Sequence, residues 1–260
     1  MRNNKTILAV DIGNTNINIG LFKAGSLKVG LKVSSQLPRR ELKRRLLSFV
    51  SVRGKISKGI ERIVVCSVVP HLNRTLDSIL KEIFGKNALF CGRDFTIPVK
   101  NLYKSPESVG QDRLVNAYAA LQLYGRPLII IDFGTAITFD CLNKKGEYRG
   151  GIIVPGLKLS LEALARGAAL LPMLPLAKRG TNLSLIGRTT KESMYSGLFF
   201  GFSAMVECLT NRLKKEAGRK VKVILTGGDT KIMRSFLKKY VDIIDEDLAL
   251  KGLYLLSRDI

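Results

Sequence analysis

The sequence contains no tryptophan and only one histidine, His71. Enzymes that activate a nucleophile with a histidine base therefore have a single candidate, and a lone polar residue directly after Pro70 is more typical of a helix start or a surface position. The GxxxxGK[ST] motif of phosphate-loop NTPases, the GxGxxG dinucleotide fingerprint and the protein-kinase motif set are also absent. These absences disfavour several large enzyme classes.

Cysteines are few and widely spaced: Cys66, Cys91, Cys141 and Cys208 contain no CxxC pair. This pattern predicts buried, reduced thiols rather than a disulfide or a zinc site. The apolar run that precedes Asp11 is only about four residues long, which is too short for a signal-peptide core or a membrane span. We therefore expect a cytoplasmic protein with no membrane partner.

Acidic residues are scarce relative to basic ones, since 43 Lys and Arg face 21 Asp and Glu, for a net charge of +22. Such a charge attracts anions of every kind, from carboxylates and nucleotides to nucleic acid. Basic clusters occur at 39–40, 43–45, 214–215 and 219–220. Because no basic stretch is interleaved with aromatic stacking residues, nucleic acid is disfavoured as a partner. A nucleic-acid-binding or transcription-regulatory protein stays open as the alternative, and salt-sensitive DNA binding would favour it.

Two segments share one pattern, in which an apolar run ends in Asp-x-Gly, small polar residues follow and a second β-prone run returns. The first segment spans 7–22 with Asp11, and the second spans 128–140 with Asp132. The two aspartates are nearly half the chain apart, which indicates a duplicated domain. We predict domains over 1–117 and 118–260.

The segments between these repeats alternate in type. Apolar periodicity predicts helices over 38–53, 74–84, 112–124, 194–216 and 231–240, and strands over 63–69 and 221–225. Alternation of this kind is typical of an α/β fold with a largely parallel sheet.

The Asp-x-Gly turns suit a polyphosphate. A glycine two places after a strand-end aspartate lets backbone N–H groups approach a ligand closely, and Asn14, Thr15 and Asn16 add side-chain donors. The aspartate can hold Mg²⁺ directly or through water. One such turn alone is an ordinary β-hairpin, but two copies at half-chain spacing predict a pair that grips one polyphosphate from both sides.

A second candidate site is Asp112 beside Arg113, at the start of a predicted helix. Such a pair is usually a helix cap and a surface ion pair. In a kinase, Asp112 could accept the proton of an attacking hydroxyl, while Arg113 could bind an anionic substrate through two hydrogen bonds.

Taken together, these motifs resemble the type III pantothenate kinases, a family of the superfamily that includes acetate and sugar kinases, Hsp70 and actin. The resemblance covers nearly the whole chain and rests on segments 11–15, 67–70, 110–113, 132–135, 150–156, 187–190 and 226–228. Two departures are small: Gln111 stands where the family usually has alanine, and Ala168-Ala169 replaces the more usual Thr-Ala. The strong basicity is also atypical.

The resemblance implies an α/β fold of duplicated ribonuclease H-like (actin-like ATPase) domains with a cleft between them. It implies phosphorylation of pantothenate to 4'-phosphopantothenate by ATP, the first step of coenzyme A biosynthesis. A phosphotransferase with another small hydroxylated acceptor, or a phosphatase that shares the fold, is the alternative. The implied partners are ATP and pantothenate, with Mg²⁺ accompanying the ATP, and a second copy of the chain in a homodimer whose interface completes the substrate site.

Residue roles also follow from the resemblance. Asp112 corresponds to the general base, and Asp132 to the site of a monovalent cation, K⁺ or NH₄⁺. Thr226-Gly227-Gly228 would run alongside the adenosine. The ATP-phosphate site would comprise Asp11, Ile12, Gly13, Asn14, Thr15, Asn16, Ile17, Asn18 and Thr135. The substrate site would comprise Tyr103, Gly110, Gln111, Asp112, Arg113 and Thr190, the last across the dimer interface. For Tyr103 and Thr190, an ordinary surface role stays an alternative.

Overall fold

The computed structural model describes residues 5–51, 59–176, 183–217 and 220–260. Contacts divide the chain into two compact units. The first is formed by the chain up to Val99, by Ser105–Ala119 and by Leu248–Ile260, and the second by Lys100–Lys104 and Ala120–Asp247. The domain boundary between residues 117 and 118 stays a prediction, as does a cleft between the domains.

The first unit is built on a five-stranded sheet with the order β3-β2-β1-β4-β5. Strand β2 is antiparallel to β1 and β3, whereas β4 is parallel to β1 and β5 is parallel to β4. The elements, in chain order, are β1 (Thr6–Ile12), β2 (Asn16–Lys23), β3 (Ser26–Ser34), α1 (Arg39–Ser51), β4 (Ile60–Ser67), α2 (Pro70–Phe84), β5 (Leu89–Phe90), a 3₁₀ turn (Pro106–Ser108) and α3 (Gln111–Tyr124). The last residues of α3, from Ala120 onward, belong to the second unit.

The second unit repeats this arrangement with the order β10-β9-β6-β7-β8. Strand β7 is antiparallel to β6 and β8, while β9 is parallel to both β6 and β10. Its elements are β6 (Leu128–Phe133), β7 (Ala136–Leu142), β8 (Tyr148–Pro155), α4 (Leu157–Gly167), α5 (Thr190–Ala217), β9 (Lys222–Thr226), α6 (Thr230–Leu237) and β10 (Ile243–Ile244). The predicted duplication is confirmed.

The prediction of a largely parallel sheet is wrong, because each sheet has two antiparallel and two parallel pairings. The tight turn after each Asp-x-Gly already requires an antiparallel return strand, and a third strand continues each meander. The predicted helices are found with ends shifted by a few residues. Residues 52–53 of the first predicted helix, and Arg219 of the basic clusters, lie outside the described residues.

The last helix, α7 (Leu248–Leu256), packs within the first unit although the sequence assigned it to the second half of the chain. A Cβ on Gly252 would lie 2.8 Å from the carbonyl oxygen of Val115, so the missing side chain is what allows the close approach to α3. The Tyr254 ring stacks on Phe22 with 4.8 Å between centroids. The hydroxyl of Tyr118 donates to Asp259 at 2.7 Å.

Apolar strands form the core of each unit. In the first, alternate residues of β1 pack against helices α1 and α2 through side chains that include Leu8, Val10, Leu46 and Leu76. In the second, the corresponding residues of β6 pack against α4 and α5. Such burial fixes the strand register, so each strand-end aspartate occupies a determined position. In the part of the chain that the structure describes, no helix is both long enough and apolar enough for a membrane crossing.

The four cysteines are free thiols, as predicted, but not all are buried. Cys66 and Cys91 are buried, Cys141 is half-buried and Cys208 is exposed. The expectation of burial is therefore wrong for Cys208, which lies on the outer side of the long helix α5. On a helix, neighbours in sequence point in different directions, so an apolar neighbour does not imply that a residue faces the core.

Candidate active site

The first Asp-x-Gly turn joins β1 to β2 and is closed by its own backbone. Asp11 lies directly opposite Asn18 in the strand pairing, and the N–H of Gly13 donates to the carbonyl of Asn16 at 2.9 Å. A residue that the sequence did not single out fixes this turn. The Ser35 hydroxyl donates to the Gly13 carbonyl at 2.6 Å, and the Ser35 N–H donates to the carbonyl of Thr15 at 3.0 Å.

The Asp11 carboxylate has an unusual electrostatic environment. Burial raises its pKa from 3.8 to about 6, against the effect of a 3.1 Å hydrogen bond from the Asn18 amide, and the negative charge of Asp112 raises the pKa further. The structure thus brings Asp11 and Asp112 into electrostatic contact within the first unit, although 100 residues separate them. Two neighbouring carboxylates resist simultaneous ionisation unless a cation joins them.

Asp112 lies in the first turn of α3, and its position requires the glycine before it. A Cβ on Gly110 would collide with the Asp112 carboxylate oxygen Oδ1. That same oxygen accepts a hydrogen bond from the Arg113 N–H at 2.8 Å. Gly110 therefore leaves room for the carboxylate to fold back over the helix start, where backbone N–H groups favour negative charge. Arg113 is buried.

Gln111 also has a specific place in the structure. Its side chain lies against Gly92, where a Cβ would come within 2.9 Å of the Gln111 amide carbon. Gly92 has a positive φ of 77°, so glycine is favoured there on two counts. The absence of a side chain at Gly92 therefore leaves room for the Gln111 side chain, which is larger than the alanine usual at this position.

Two buried thiols lie beneath the first turn. Cys66 is paired with Asp11 in the register of β4 against β1. A hydrogen bond with Cys91 and burial both raise the pKa of the Cys66 thiol well above its usual value. Cys66 and Cys91 are thus neighbours in the fold, and this proximity could not be read from residues 25 positions apart.

The second Asp-x-Gly turn, between β6 and β7, is enclosed by three glycines. The Gly134 N–H donates to the Ala136 carbonyl at 3.1 Å, and the Gly156 N–H donates to the Thr135 carbonyl at 3.0 Å. A Cβ on Gly227, which has a φ of +98°, would collide with Asp132 Oδ1 and the backbone of Phe133. The Thr226-Gly227-Gly228 segment is therefore in contact with the second turn.

The oxygen-rich surroundings of Asp132 fit a hard cation. Hard cations such as K⁺ and Mg²⁺ bind carboxylate, carbonyl and hydroxyl oxygens. This turn offers the carboxylate of Asp132 together with nearby backbone carbonyls. Among the described residues, no group of three or more His, Cys, Asp or Glu side chains could hold a metal ion by itself. A cation at Asp132 would therefore take part of its coordination from backbone carbonyl oxygens.

Tyr103 and Thr190 both belong to the second unit. The Tyr103 ring lies against Gly150, where a Cβ would be 3.1 Å from the ring, and 37% of the residue is exposed. Thr190 is the first residue of α5 and is exposed. It follows a helix cap in which the Glu192 N–H donates to Thr189 Oγ1 at 3.2 Å, and the Glu192 carboxylate accepts from the Arg188 N–H at 2.7 Å.

The predicted site residues therefore form two groups. Asp11 to Asn18 and Gly110 to Arg113 meet in the first unit, whereas the second unit carries Tyr103, Asp132, Thr135 and Thr190. Within that unit, the structure places the adenosine candidates 226–228 against Asp132. Ser35, Gly92 and Cys91 were missed, and no local pattern in the sequence could have identified them because each acts through a long-range contact.

Sequence comparison gives a consistent result. The family model for type III pantothenate kinase matches residues 7–212. A protein from Zymomonas mobilis subsp. mobilis named type III pantothenate kinase is 41% identical over 255 residues, covering 96% of this chain and 91% of that protein.

Solved structures share the fold at much lower identity. A Campylobacter jejuni protein assigned to the Baf family of transcriptional activators has a TM-score of 0.57 at 21% identity, over 97% of this chain and 98% of that one. The activator of 2-hydroxyisocaproyl-CoA dehydratase from Clostridium difficile, solved with bound ADPNP, has a TM-score of 0.54 at 13% identity, over 98% and 94%. These similarities concern the fold alone, which is that of duplicated ribonuclease H-like domains.

Proposed function

The chain belongs to the type III pantothenate kinase family and phosphorylates pantothenate with ATP, and we propose that Asp112 is the general base of this transfer. The observation that carries the proposal is the placement of Asp112 beside Asp11, at the start of α3. One carboxylate of such a pair can face a cation while the other accepts a proton. Phosphoryl transfer needs little more from side chains, because positioning and charge neutralisation dominate its catalysis.

In the proposed step, an Asp112 oxygen accepts the proton of the pantothenate hydroxyl. The hydroxyl oxygen forms a bond to the γ-phosphorus as the bond from that phosphorus to the β,γ-bridging oxygen breaks, and ADP leaves. Gly110, Gln111 and Arg113 hold the substrate, with the Arg113 guanidinium paired with the pantothenate carboxylate. Tyr103 is proposed as a further contact of the substrate. Asp11 would hold Mg²⁺, which would neutralise phosphate charge.

We propose that the two Asp-x-Gly turns bind the ATP phosphates, through residues 11–18 and Thr135. Their support is a shared geometry: in each turn, a glycine N–H bonds within the turn, so that the polar side chains and remaining N–H groups are held in place. A crystal structure with an ATP analogue tests the assignment. Phosphates bound away from both turns would contradict it.

Asp132 is proposed to hold K⁺ or NH₄⁺. Replacing both ions with Na⁺ at constant ionic strength should sharply reduce turnover in a coupled assay, because the smaller ion needs shorter contacts than a site formed by fixed backbone can provide. Equal activity in Na⁺ and K⁺ would contradict the assignment.

The protein is proposed to act as a homodimer, with Thr190 contacting the substrate of the other copy. Apolar side chains close to Thr190 are unusually exposed: Leu170 by 94%, Met173 by 59%, Leu185 by 68% and Ile186 by 79%. These side chains belong to two segments, 170–175 and 185–186, and each segment is hydrogen-bonded to the first turns of α5. The Tyr195 hydroxyl donates to the Pro175 carbonyl at 2.7 Å, and the Ser196 hydroxyl donates to the Leu185 carbonyl at 2.5 Å. Several large exposed apolar side chains held beside one helix are typical of a protein interface.

The general-base assignment is tested with Asp112→Asn. Asparagine keeps an oxygen that can accept from the Arg113 N–H, so the variant should fold with an unchanged Tm and lose turnover by about 10²–10⁴-fold. The measurement is kcat with pantothenate, ATP, Mg²⁺ and K⁺.

Glu107→Gln is the control for the general-base test, since it removes an exposed carboxylate from the 3₁₀ turn just before α3. This control should keep full activity. A near-normal kcat for Asp112→Asn would exclude the base role while leaving the family assignment intact.

A further inference from the structure

The second unit contains a cavity of about 620 Å³ at the β7–β8 hairpin and the last turn of α5. This volume is within the range of small-molecule sites, roughly 300–1,000 Å³. The proposed catalytic groups do not line it. The strand β7 runs from the Asp132 turn to the cavity over seven residues, and thus over about 20 Å.

The floor and the rim of the cavity differ in chemistry. Ile152, Leu213 and Ala217 contribute apolar surface, and all three belong to or pack against the core of the unit. Lys144, Arg149 and Lys215 contribute cationic groups, and all three are exposed. An apolar floor beneath a charged rim favours a ligand that has both characters.

The positive charges of the rim are not neutralised by neighbouring carboxylates. Within the described part of the chain, none of Lys144, Arg149 and Lys215 forms an ion pair with a carboxylate. Two acidic residues, Glu147 and the exposed Glu216, line the cavity against four basic ones. Glu147 is already engaged, since it accepts from Lys100 at 2.7 Å and from the Asn143 amide at 2.8 Å. Positive charge is therefore available to an incoming anion.

We propose that this cavity binds an amphipathic anion, a small molecule that carries a carboxylate or a phosphate on an apolar body. The apolar part lies on Leu213 and Ile152, and the anionic group faces Arg149 and Lys215. This site is separate from the kinase reaction and uses one of the basic clusters, 214–215, that catalysis leaves without a role.

The test uses 8-anilinonaphthalene-1-sulfonate as an amphipathic anion and follows its fluorescence on the full-length protein. The double variant Arg149→Glu, Lys215→Glu should weaken binding by at least about tenfold, since two attractions become repulsions at an exposed site. N-phenyl-1-naphthylamine has the same apolar body without the charge, and its binding should not change. An unchanged affinity for the sulfonate, or an equal loss for the neutral dye, would overturn the proposal.

The matched control is Lys28→Glu, Lys32→Glu, which makes the same change of net charge on the exposed face of β3 in the first unit. It should leave the affinity for the sulfonate within about twofold, because neither lysine lines the cavity. An equal loss in this control would mean that net charge alone governs binding, and the cavity assignment would fail.

Competition then separates this site from the substrate site and identifies the head group. Gly150 lines the cavity and also touches the Tyr103 ring, so overlap with the pantothenate site must be measured. Saturating pantothenate and ATP should leave dye binding unchanged, whereas displacement would assign the cavity to the substrate site and overturn the proposal. Decanoate and decyl phosphate, used as competitors, distinguish a carboxylate ligand from a phosphate ligand, and failure of both to compete would overturn it.

Discussion

Asp11 combines two properties that oppose each other in a folded protein. Its carboxylate is placed at the end of a buried strand, where ionisation is costly, yet the proposed reaction needs that charge near Mg²⁺. The raised pKa of about 6 is the measure of this cost. Activity should therefore fall as the pH drops through about 6, where Asp11 takes up a proton and its attraction for the cation is lost.

The same pKa predicts the stability of the protein without ligands. Between the unfolded pKa of 3.8 and the folded pKa of about 6, the folded state binds more protons, so the contribution of Asp11 to stability decreases as the pH rises through this window. Above it, ionised Asp11 costs up to about 3 kcal/mol. Asp11→Asn should thus raise the Tm at pH 8 and have little effect at pH 4, while abolishing turnover.

Thermal unfolding at both pH values, in buffer without Mg²⁺ or nucleotide, measures this effect. Glu107→Gln again serves as the control for the loss of a carboxylate. An equal Tm difference at pH 4 and pH 8 for Asp11→Asn would show that the substitution acts through packing, and not through the charge.

At the scale of elements, the loop between β9 and α6 is coupled to the second Asp-x-Gly turn. Gly227 approaches Asp132 so closely that no side chain fits, and its positive φ disfavours any residue with a Cβ. Gly227→Ala should displace the Asp132 carboxylate or the loop, lowering kcat/KM for ATP on the order of 10²-fold because small displacements of positioning groups are costly.

Gly85→Ala is the matched control for this loop. Gly85 ends helix α2 with a φ of 67°, but a Cβ there would meet nothing within 4 Å. It should lose stability through backbone strain alone, about 1 kcal/mol, and keep its activity. If both variants show the same loss of stability and the same kcat/KM, the contact with Asp132 has no functional role.

The sequence predicted elements where the signal is local. Both Asp-x-Gly turns follow from an apolar run that meets a glycine and polar residues, and helix α5 follows from its apolar face. Strand β8 was missed because Gly150 and Gly151 interrupt its β-prone run. The contacts of Ser35 with Gly13 and of Cys66 with Cys91 were also missed, since they depend on which strands become neighbours, and periodicity does not encode that.

At the scale of the whole molecule, the exposed patch formed by Leu170, Met173, Leu185 and Ile186 is expected to be the dimer interface. The double variant Leu170→Asp, Ile186→Asp places charge in this patch and should convert the proposed dimer to a monomer. Its kcat/KM for pantothenate should fall strongly, because Thr190 would no longer reach the other copy. Size-exclusion chromatography with light scattering gives the mass.

Leu47→Asp controls for the introduction of charge at an exposed leucine, since Leu47 is 45% exposed on α1 in the first unit. It should remain dimeric and active. A dimer that persists in the double variant would move the interface elsewhere and remove the structural support for the role of Thr190.

The net charge of +22 is distributed over surfaces that are partly neutralised. On α1, Glu41 pairs with Arg44 at 2.6 Å and with Arg45 at 2.9 Å, and Glu82 of α2 pairs with Arg39 and, at 2.7 Å, with Lys43. This helix therefore offers a polyanion less charge than its sequence implies. The arrangement weakens the nucleic-acid-binding alternative for the basic clusters at 39–40 and 43–45.

The position of α7 has a consequence for biosynthesis. Strands β1 to β5 emerge early from the ribosome, but the surfaces of Gly20 and Val115 that α7 covers stay bare until residues 248–256 have been translated. The first unit therefore closes only after the second has been made. A nascent chain stalled after the strands of the first unit but before α7 would expose apolar surface to chaperones. A gene split at the midpoint would yield an N-terminal fragment that needs α7 supplied in trans.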